Sequence, residues 1–309
     1  MDNNGKDYGC FAEWNPEEIL PQGMENQTSM KFSLICCLQQ IMTVSQCALG
    51  DDGKAMLRGE FSSISLIHNN LPHLVPTPLG WGKFEKSLDS TMETYYLIED
   101  FLDMDVSIPD PSKVTAAIAD LHRSIPSPNG MWGFHVATCD GKVIHTVTWT
   151  KTWREFYTNL LLGTIKNGNE KNGVWPDFER ATKHLVDKVI PRLLDDLTFD
   201  GEPIKPTFLH GDLWAGNIAT LRENGEIVLF DSGGFYGHNE FDISTWRCIF
   251  NRAIEHHVFS RHYMQHYEPA EPVEEWDDRN RLYSLKYILN YSINHPNENA
   301  RETLVVIHF

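Results

Sequence analysis

The sequence predicts an α+β fold with two lobes, a small and mostly β N-terminal lobe and a larger helical C-terminal lobe. Three observations lead to this prediction. The chain has 309 residues, and single hydrophobic cores stop growing near about 250–300 residues. Segments rich in aromatic and β-branched residues lie before residue 102, whereas amphipathic helical patterns dominate after residue 110. We therefore expect residues 1–102 to form the first lobe and residues 103–309 the second.

The first lobe is predicted to hold a helix between strands. The Asp-Asp-Gly turn at residues 51–53 leads into a helix that carries Glu60 and ends before Pro72, because proline cannot continue a helix. Residues 77–84 and 94–98 are predicted strands. The second of these is aromatic and β-branched enough for a central strand.

The second lobe is predicted to be mainly helical. In residues 111–123, apolar side chains recur at positions i, i+3, i+4 and i+7, which indicates an amphipathic helix. Residues 149–162 and 178–194 are two further helical stretches, and the Gly- and Asn-rich segment 163–173 is predicted to be a loop between them. Apolar residues between positions 282 and 289 mark a last helix.

Composition excludes several classes of function. The chain has 26 basic and 43 acidic residues and a formal net charge of −17, so we expect no nucleic-acid partner, because binding to a phosphate backbone needs a basic face. The six cysteines form no Cys-x-x-Cys pair, which argues against a disulfide framework or a zinc site. No apolar run approaches about 18 residues and no signal sequence is recognisable. We expect a cytoplasmic protein that does not enter a membrane.

The most informative stretch is residues 208–240, FLHGDLWAGNIATLRENGEIVLFDSGGFYGHNE. At its centre, Asn224-Gly225 separates two short apolar runs, which is the sequence signal for a two-residue hairpin turn. A turn at these two residues would place Ile218 opposite Asp231. The sequence thus predicts a tight hairpin whose open end carries an acidic residue.

Three side chains are predicted to converge at that end of the hairpin. Asn217 lies one position beyond the paired strand, next to Asp231, and Asp212 precedes Asn217 by five positions in the loop before it. An amide oxygen and a carboxylate suit Mg²⁺ that is bound mainly through substrate phosphates. A third acid nearby can accept the proton of an attacking hydroxyl, as in phosphoryl transfer. A surface hairpin with ordinary polar flanks does not account for this combination.

Two strings, HGDLWAGN at residues 210–217 and FDSGGFYGHNEFD at residues 230–242, closely resemble those of the fructosamine/ketosamine kinase family, particularly its fungal members. The resemblance runs from about residue 47 to about residue 299. The family shares the protein-kinase-like fold of aminoglycoside phosphotransferases and choline kinases. Its members phosphorylate the 3-hydroxyl of ketosamines, including ribulosamine and fructosamine adducts on the lysines of glycated proteins.

The resemblance implies an ATP-dependent, Mg²⁺-requiring kinase that acts on glycated protein lysines or small ketosamines, in repair of glycation. It implies that Asp212 is the catalytic base and that Asn217 and Asp231 hold the metal. The nucleotide contacts that it implies, on a helix and at the hinge between the lobes, are Glu60, Asp100, Phe101 and Leu102. Candidates for the substrate cleft are His210, Trp214, Tyr236, His238 and Glu240.

The chain departs from the family where the chemistry needs a cation. Family members carry a strand lysine just before the residue that matches Cys47, and this chain has Gln46 there. A neutral amide cannot supply the charge that contacts the phosphates, and a lost electrostatic catalyst costs about 2.7–4 kcal/mol of transition-state stabilisation. Three explanations are open: a weakened or inactive kinase, a replacement cation such as Lys31 or Lys54, or a deduced sequence that is wrong before Cys47. The abrupt change in matching there favours the last, as an intron or alternative exon.

The C-terminal end also departs from the family pattern. Family members continue their last helical region beyond the point where this chain ends, so we expect residues 301–309 to be a truncated or misread end. Two alternatives to a ketosamine kinase stay open. One is another small-molecule hydroxyl kinase of the aminoglycoside or choline type. The other is a catalytically impaired, kinase-like binding protein, which Gln46 motivates.

Overall fold

The computed structural model describes residues 32–38, 41–85 and 92–295. The elements of its first part are β1 (Phe32–Leu38), β2 (Ile41–Leu49), α1 (Gly50–Asn70), β3 (Pro78–Lys83) and β4 (Thr94–Asp100). The four strands form one antiparallel sheet in the order β1-β2-β4-β3, and α1 packs on it through a small apolar cluster. The predictions for Lys31 and for the two chain ends lie outside the described residues.

The second part is mostly helical. Its helices are α2 (Pro111–Ser124), α3 (Trp153–Asn172), α4 (Pro176–His184), α5 (Ile190–Leu194), α6 (Asn239–Asp242), α7 (His256–His266) and α8 (Trp276–Asn294), with a π-helical turn, Leu185–Val189, between α4 and α5. Its short strands are β5 (Met104–Asp105), β6 (Cys139–Asp140), β7 (Val143–Ile144), β8 (Thr198–Phe199), β9 (Glu202–Pro203), β10 (Thr207–Leu209), β11 (Ile218–Leu221), β12 (Ile227–Leu229) and β13 (Phe235–Gly237). The predicted α+β fold is confirmed.

Local sequence explains where the predicted helices begin. The side chain of Asp110 accepts hydrogen bonds from the backbone N–H groups of Ser112 and Lys113, which caps α2. Thr152 caps α3 in the same way.

Among the described residues, no helix combines the length and the apolar character that crossing a bilayer requires.

The predicted loop at residues 163–173 is wrong, because α3 continues through it to Asn172. Its glycines allow close packing and do not break the helix. A Cβ at Gly163 would overlap the Thr146 hydroxyl, whereas one at Gly168 would make an ordinary contact, 3.6 Å from the Ile293 side chain of α8. Tertiary packing outweighs the low helix propensity of glycine here.

The hairpin forms, but its register differs from the prediction. Ile218 lies opposite Leu229 and not opposite Asp231. Beyond the paired strands, the Leu221 N–H donates to the Glu226 carbonyl oxygen and closes a loop of four residues, 222–225, where two were predicted. Gly225 adopts a positive φ of 73°, and its N–H donates to the Leu221 carbonyl oxygen. The shift of two positions leaves Asp231 beyond the paired strand. The loop is thus longer than the two-residue turn that the Asn-Gly pair predicts.

A network of polar side chains is buried within the second lobe. Glu240 accepts hydrogen bonds from Arg279 at 2.7 Å and 2.9 Å and from the Ala270 N–H at 2.8 Å. His238 contacts the Tyr283 hydroxyl through Nδ1 at 3.0 Å. Since Glu240 and Arg279 are both almost fully buried, the pair fixes α6 to α8. The structure therefore places His238 and Glu240, two of the five residues that were predicted for the substrate cleft, inside the core.

Gly59 marks the contact between the two parts of the chain, since a Cβ there would overlap the Ala137 carbonyl oxygen and would lie 2.9 Å from the Thr138 Cα. We predict that Gly59→Ala lowers the free energy of unfolding by about 1–3 kcal/mol, although alanine favours helices. Denaturant unfolding measures this. The control is Gly80→Ala, because nothing lies within 4 Å of a Cβ at Gly80. Equal stability of the two variants would contradict the proposed contact.

His238 should make the stability of the fold depend on pH. Burial lowers the pKa of His238 from 6.5 to about 4, so the unfolded chain binds more protons between these pH values and stability falls as the pH drops through this window. We predict a loss of about 2 kcal/mol near pH 5 relative to neutral pH from this group. In denaturant unfolding at both pH values, His238→Gln should lack this part of the loss. The exposed His184→Gln serves as the control, and an unchanged pH dependence in His238→Gln would refute the assignment.

Candidate active site

A cavity of about 530 Å³ lies between the two parts of the chain. Its walls come from α1, the β6–β7 hairpin, the loop before β11 and α8. Five of the residues predicted for function line it: Glu60, Asp212, Trp214, Asn217 and Asp231. The structure thus brings together the three side chains that the hairpin argument placed at one end, despite the shift in register.

The loop at residues 210–217, which we call the catalytic loop, is held by one buried carboxylate. Asp242 accepts the backbone N–H groups of His210 at 2.7 Å and Gly211 at 2.8 Å, and it contacts His122 Nε2 at 3.0 Å. Asp242 and His122 are both buried. Two backbone donors and one histidine therefore fix the start of the loop, which directs Asp212 toward the cavity.

Further contacts fix the catalytic loop to the segment that carries Asp231. His210 Nε2 lies 3.0 Å from the Phe230 carbonyl oxygen, and the Ser232 hydroxyl donates to the His210 carbonyl oxygen at 2.9 Å. Burial lowers the pKa of His210, which agrees with a neutral ring that donates from Nε2. His210 thus lies behind the loop and positions it, and it does not line the cavity.

Asp212 and Asn217 contact each other directly. Asn217 Nδ2 donates to the Asp212 backbone oxygen and to Asp212 Oδ2, both at 3.0 Å. Burial raises the pKa of Asp212 well above its usual value, and the charges of Asp140 and Asp231 raise it further, while Lys286 and Asn217 oppose the shift. A raised pKa strengthens this carboxylate as a base for a hydroxyl proton.

The donor set fits Mg²⁺. Since both contacts of Asn217 with Asp212 use Nδ2, its Oδ1 is the atom of this amide that can bind a cation. Asp231 adds a carboxylate and has a positive φ of 59°, a strained conformation for a residue other than glycine. An amide oxygen and a carboxylate are hard ligands that leave further positions for phosphate oxygens and water.

Gln46 lies where the resemblance places the strand lysine. Its Nε2 lies 3.0 Å from Glu60 Oε1, 3.2 Å from Asp231 Oδ1 and 3.5 Å from Glu99 Oε2. A neutral amide therefore joins Glu60 of α1 to Asp231, at the position where the resemblance implies a positively charged lysine. Lys54 does not replace it, because its exposed side chain lies against Tyr95, with Nζ 5.7 Å from the ring centroid.

The other predicted residues lie away from the cavity. Tyr236 pairs with Phe208 across β13 and β10 and is buried, and His238 and Glu240 belong to the core network described above. Asp100 is the last residue of β4, and Phe101 and Leu102 follow it; among the described residues that line the cavity, none of these three occurs.

Two functional features escaped the sequence analysis. Asp242 was not identified as the anchor of the catalytic loop, because its partners are backbone groups about 30 positions away. Asp140 also lines the cavity, where it pairs with Lys286 of α8. A signal for the second feature is present in the sequence, since Lys286 interrupts the apolar face of the last predicted helix.

Comparisons with known proteins identify the family of this chain. The family model for fructosamine kinase matches residues 47–308. The chain is 28% identical over 249 residues to the chloroplastic protein-ribulosamine 3-kinase of Oryza sativa subsp. japonica, which covers 78% of this chain and 65% of that protein. The chain therefore spans somewhat less than two thirds of the length of that relative.

Solved structures show the same fold. A protein of Haemophilus somnus 129PT, assigned provisionally as a fructosamine-3-kinase, has a TM-score of 0.66 at 21% identity and covers 90% of this chain and 91% of its own. A thermostable mutant of the aminoglycoside phosphotransferase APH(4)-Ia, in a ternary complex with AMP-PNP and hygromycin B, has a TM-score of 0.58 at 13% identity and covers 90% of each chain. The fold is that of kinase-like phosphotransferases. Because the family model covers most of the sequence, the chain belongs to the fructosamine kinase family.

Proposed function

We propose that this protein transfers the γ-phosphoryl group of ATP to the 3-hydroxyl of a ketosamine, either a ribulosamine or a fructosamine. The observation that carries the proposal is the convergence of Asp212, Asn217 and Asp231 on one cavity in a kinase-like fold. Family membership and the rice relative named as a protein-ribulosamine 3-kinase support the ketosamine as acceptor. The complex of APH(4)-Ia with AMP-PNP supports ATP as donor.

In the proposed reaction, Asp212 accepts the proton of the 3-hydroxyl while the oxygen of that hydroxyl forms a bond to the γ-phosphorus. The bond between the γ-phosphorus and the bridging oxygen of ADP breaks, and ADP leaves. Asn217 and Asp231 would hold Mg²⁺, which supplies neutralisation of the phosphate charge when bound. Asp242, through the backbone of the catalytic loop, keeps Asp212 in position.

The substrates that we propose are ketosamine adducts on protein lysines or on small amines, and the role that follows is repair of glycated proteins. A cytoplasmic location stays a prediction, as do the nucleotide contacts at the hinge. The acidic net charge of −17 favours substrates that carry a positive charge, such as lysine-rich proteins, at long range.

A second candidate is a kinase-like binding protein without turnover, and Gln46 is the observation that favours it. The neutral amide of Gln46 contacts Glu60 and Asp231 at the position where a cation is expected. A hydroxyl kinase of the aminoglycoside or choline type shares the fold, but the family match over residues 47–308 favours the ketosamine as acceptor.

The first test is transfer of ³²P from Mg-ATP to ribulosyl-lysine and fructosyl-lysine. We predict that Asp212→Asn lowers kcat by about 10²–10⁴-fold, because general base catalysis is lost. The control is Asp187→Asn, which removes an exposed carboxylate that pairs with Lys183 and should retain activity. Equal rates for the parent chain and Asp212→Asn would refute the role of Asp212.

A second test concerns Gln46. We predict that Gln46→Lys raises kcat/KM by about 10²–10³-fold, since the restored charge stabilises the transition state by about 2.7–4 kcal/mol. The carboxylates of Glu60 and Asp231 lie 3.0 Å and 3.2 Å from the present amide and are within reach of the new ammonium. Gln46→Leu, which adds no charge, is the control. If Gln46→Lys is no faster than the parent chain, this position does not limit activity.

A further inference from the structure

An ion pair is buried in the wall of the active-site cavity. Lys286, on α8, is fully buried, and its Nζ lies 2.6 Å from Asp140 Oδ2. The Asp140 side chain keeps 10% of its surface exposed and lines the cavity. Asn290 Nδ2 donates to the Asp140 backbone oxygen at 3.2 Å. The aspartate is therefore held by α8 from behind and faces the cavity in front.

Stability alone does not explain this pair. Burying two charges is expensive, and well-packed apolar residues of similar volume are often as stable or more stable. A buried pair that opens onto a cavity indicates a task at that cavity.

Asp140 lies in the same cavity as Asp212. The β6–β7 hairpin carries Asp140 and the catalytic loop carries Asp212, and both side chains line this cavity. A sugar whose reacting hydroxyl reaches Asp212 would bring its neighbouring hydroxyls toward this wall. Asp140 thus stands beside the place where an acceptor substrate binds.

The chemistry of the pair favours hydroxyl groups as its ligand. The ammonium of Lys286 already balances the charge of Asp140, so a second cation would gain less from this carboxylate than from an unpaired one. Hydroxyl donors gain a charge-assisted hydrogen bond to the ionised carboxylate without such competition. A polyhydroxy chain is the part of a ketosamine that offers these donors.

We propose that Asp140, supported by Lys286, binds the hydroxyl groups of the sugar chain of the acceptor and sets the preference between five- and six-carbon ketosamines. The inference rests on the proposed function and deepens it. Asp140 touches the substrate, whereas Lys286 positions Asp140. Glu60 on α1 and Gln46 on β2, which the resemblance places near the phosphates, take no part in this binding of the sugar chain.

The test uses a paired substitution, Asp140→Leu with Lys286→Met, which removes both charges together and leaves neither unpaired. Binding of fructosyl-lysine and ribulosyl-lysine is measured by titration calorimetry without ATP, and turnover is measured with ATP. We expect Kd and KM for the ketosamines to rise roughly ten- to hundredfold, KM for ATP to stay unchanged, and the ratio of kcat/KM for the two sugars to move toward one. Lys183→Met with Asp187→Leu, an exposed pair on the second lobe, is the matched control.

Asp140→Asn with Lys286→Met is the second variant, because it keeps the shape of the Asp140 side chain and leaves no buried charge unpaired if the first paired substitution does not fold. It should raise the same constants by a smaller factor, since an amide oxygen accepts weaker hydrogen bonds. Unchanged ketosamine Kd and an unchanged sugar ratio in folded variants would overturn this inference and leave the proposed function intact. A parent chain that neither binds nor phosphorylates a ketosamine would refute the proposed function, and this inference with it.

Discussion

The buried carboxylate of Asp242 is the interaction on which the rest of the site depends. It accepts two successive backbone N–H groups of the catalytic loop and contacts His122 of α2. Without it, two buried donors would lose their partner, which costs more than the hydrogen bonds contribute. The position of Asp212, and through it that of Asn217, follows from this anchor.

Hydrogen bonds from neighbouring residues also fix the segment that carries Asp231. Asp231 adopts a left-handed backbone conformation, which the neighbouring contacts of Ser232 and Phe230 with His210 maintain. Such strain persists only where the surroundings determine it. The loops that carry Asn217 and Asp231, the residues that we propose as metal ligands, are thus fixed to each other, and the site is preorganised before any ligand binds.

The sequence predicted the residues of the site better than the geometry that brings them together. Spacing within residues 208–240 identified Asp212, Asn217 and Asp231, because local order and residue chemistry were sufficient. The Asn-Gly pair predicted a two-residue turn, and a four-residue loop formed, because Gly225 alone supplies the left-handed residue. Contacts between distant segments escaped prediction, as with His238 and Glu240, whose partners Tyr283 and Arg279 lie about 40 positions away.

Gln46 affects only one of the two tasks that we propose for this site, the contact with the phosphates, and leaves the other, acceptance of the proton, to Asp212. The proton acceptance and metal binding that we propose rest on residues of the second lobe, where hydrogen bonds anchor the loops of Asp212 and Asp231. The phosphate contact that the family resemblance implies would come from the strand of the first lobe, where Gln46 forms a hydrogen bond to Glu60 without a positive charge. Geometry and charge are independent in this bridge, because a neutral donor can hold the two carboxylates in place but cannot balance them. A deficit in rate caused by Gln46 would therefore concern the charge of the transferred phosphoryl group, and the position of the acceptor hydroxyl at Asp212 would be unaffected.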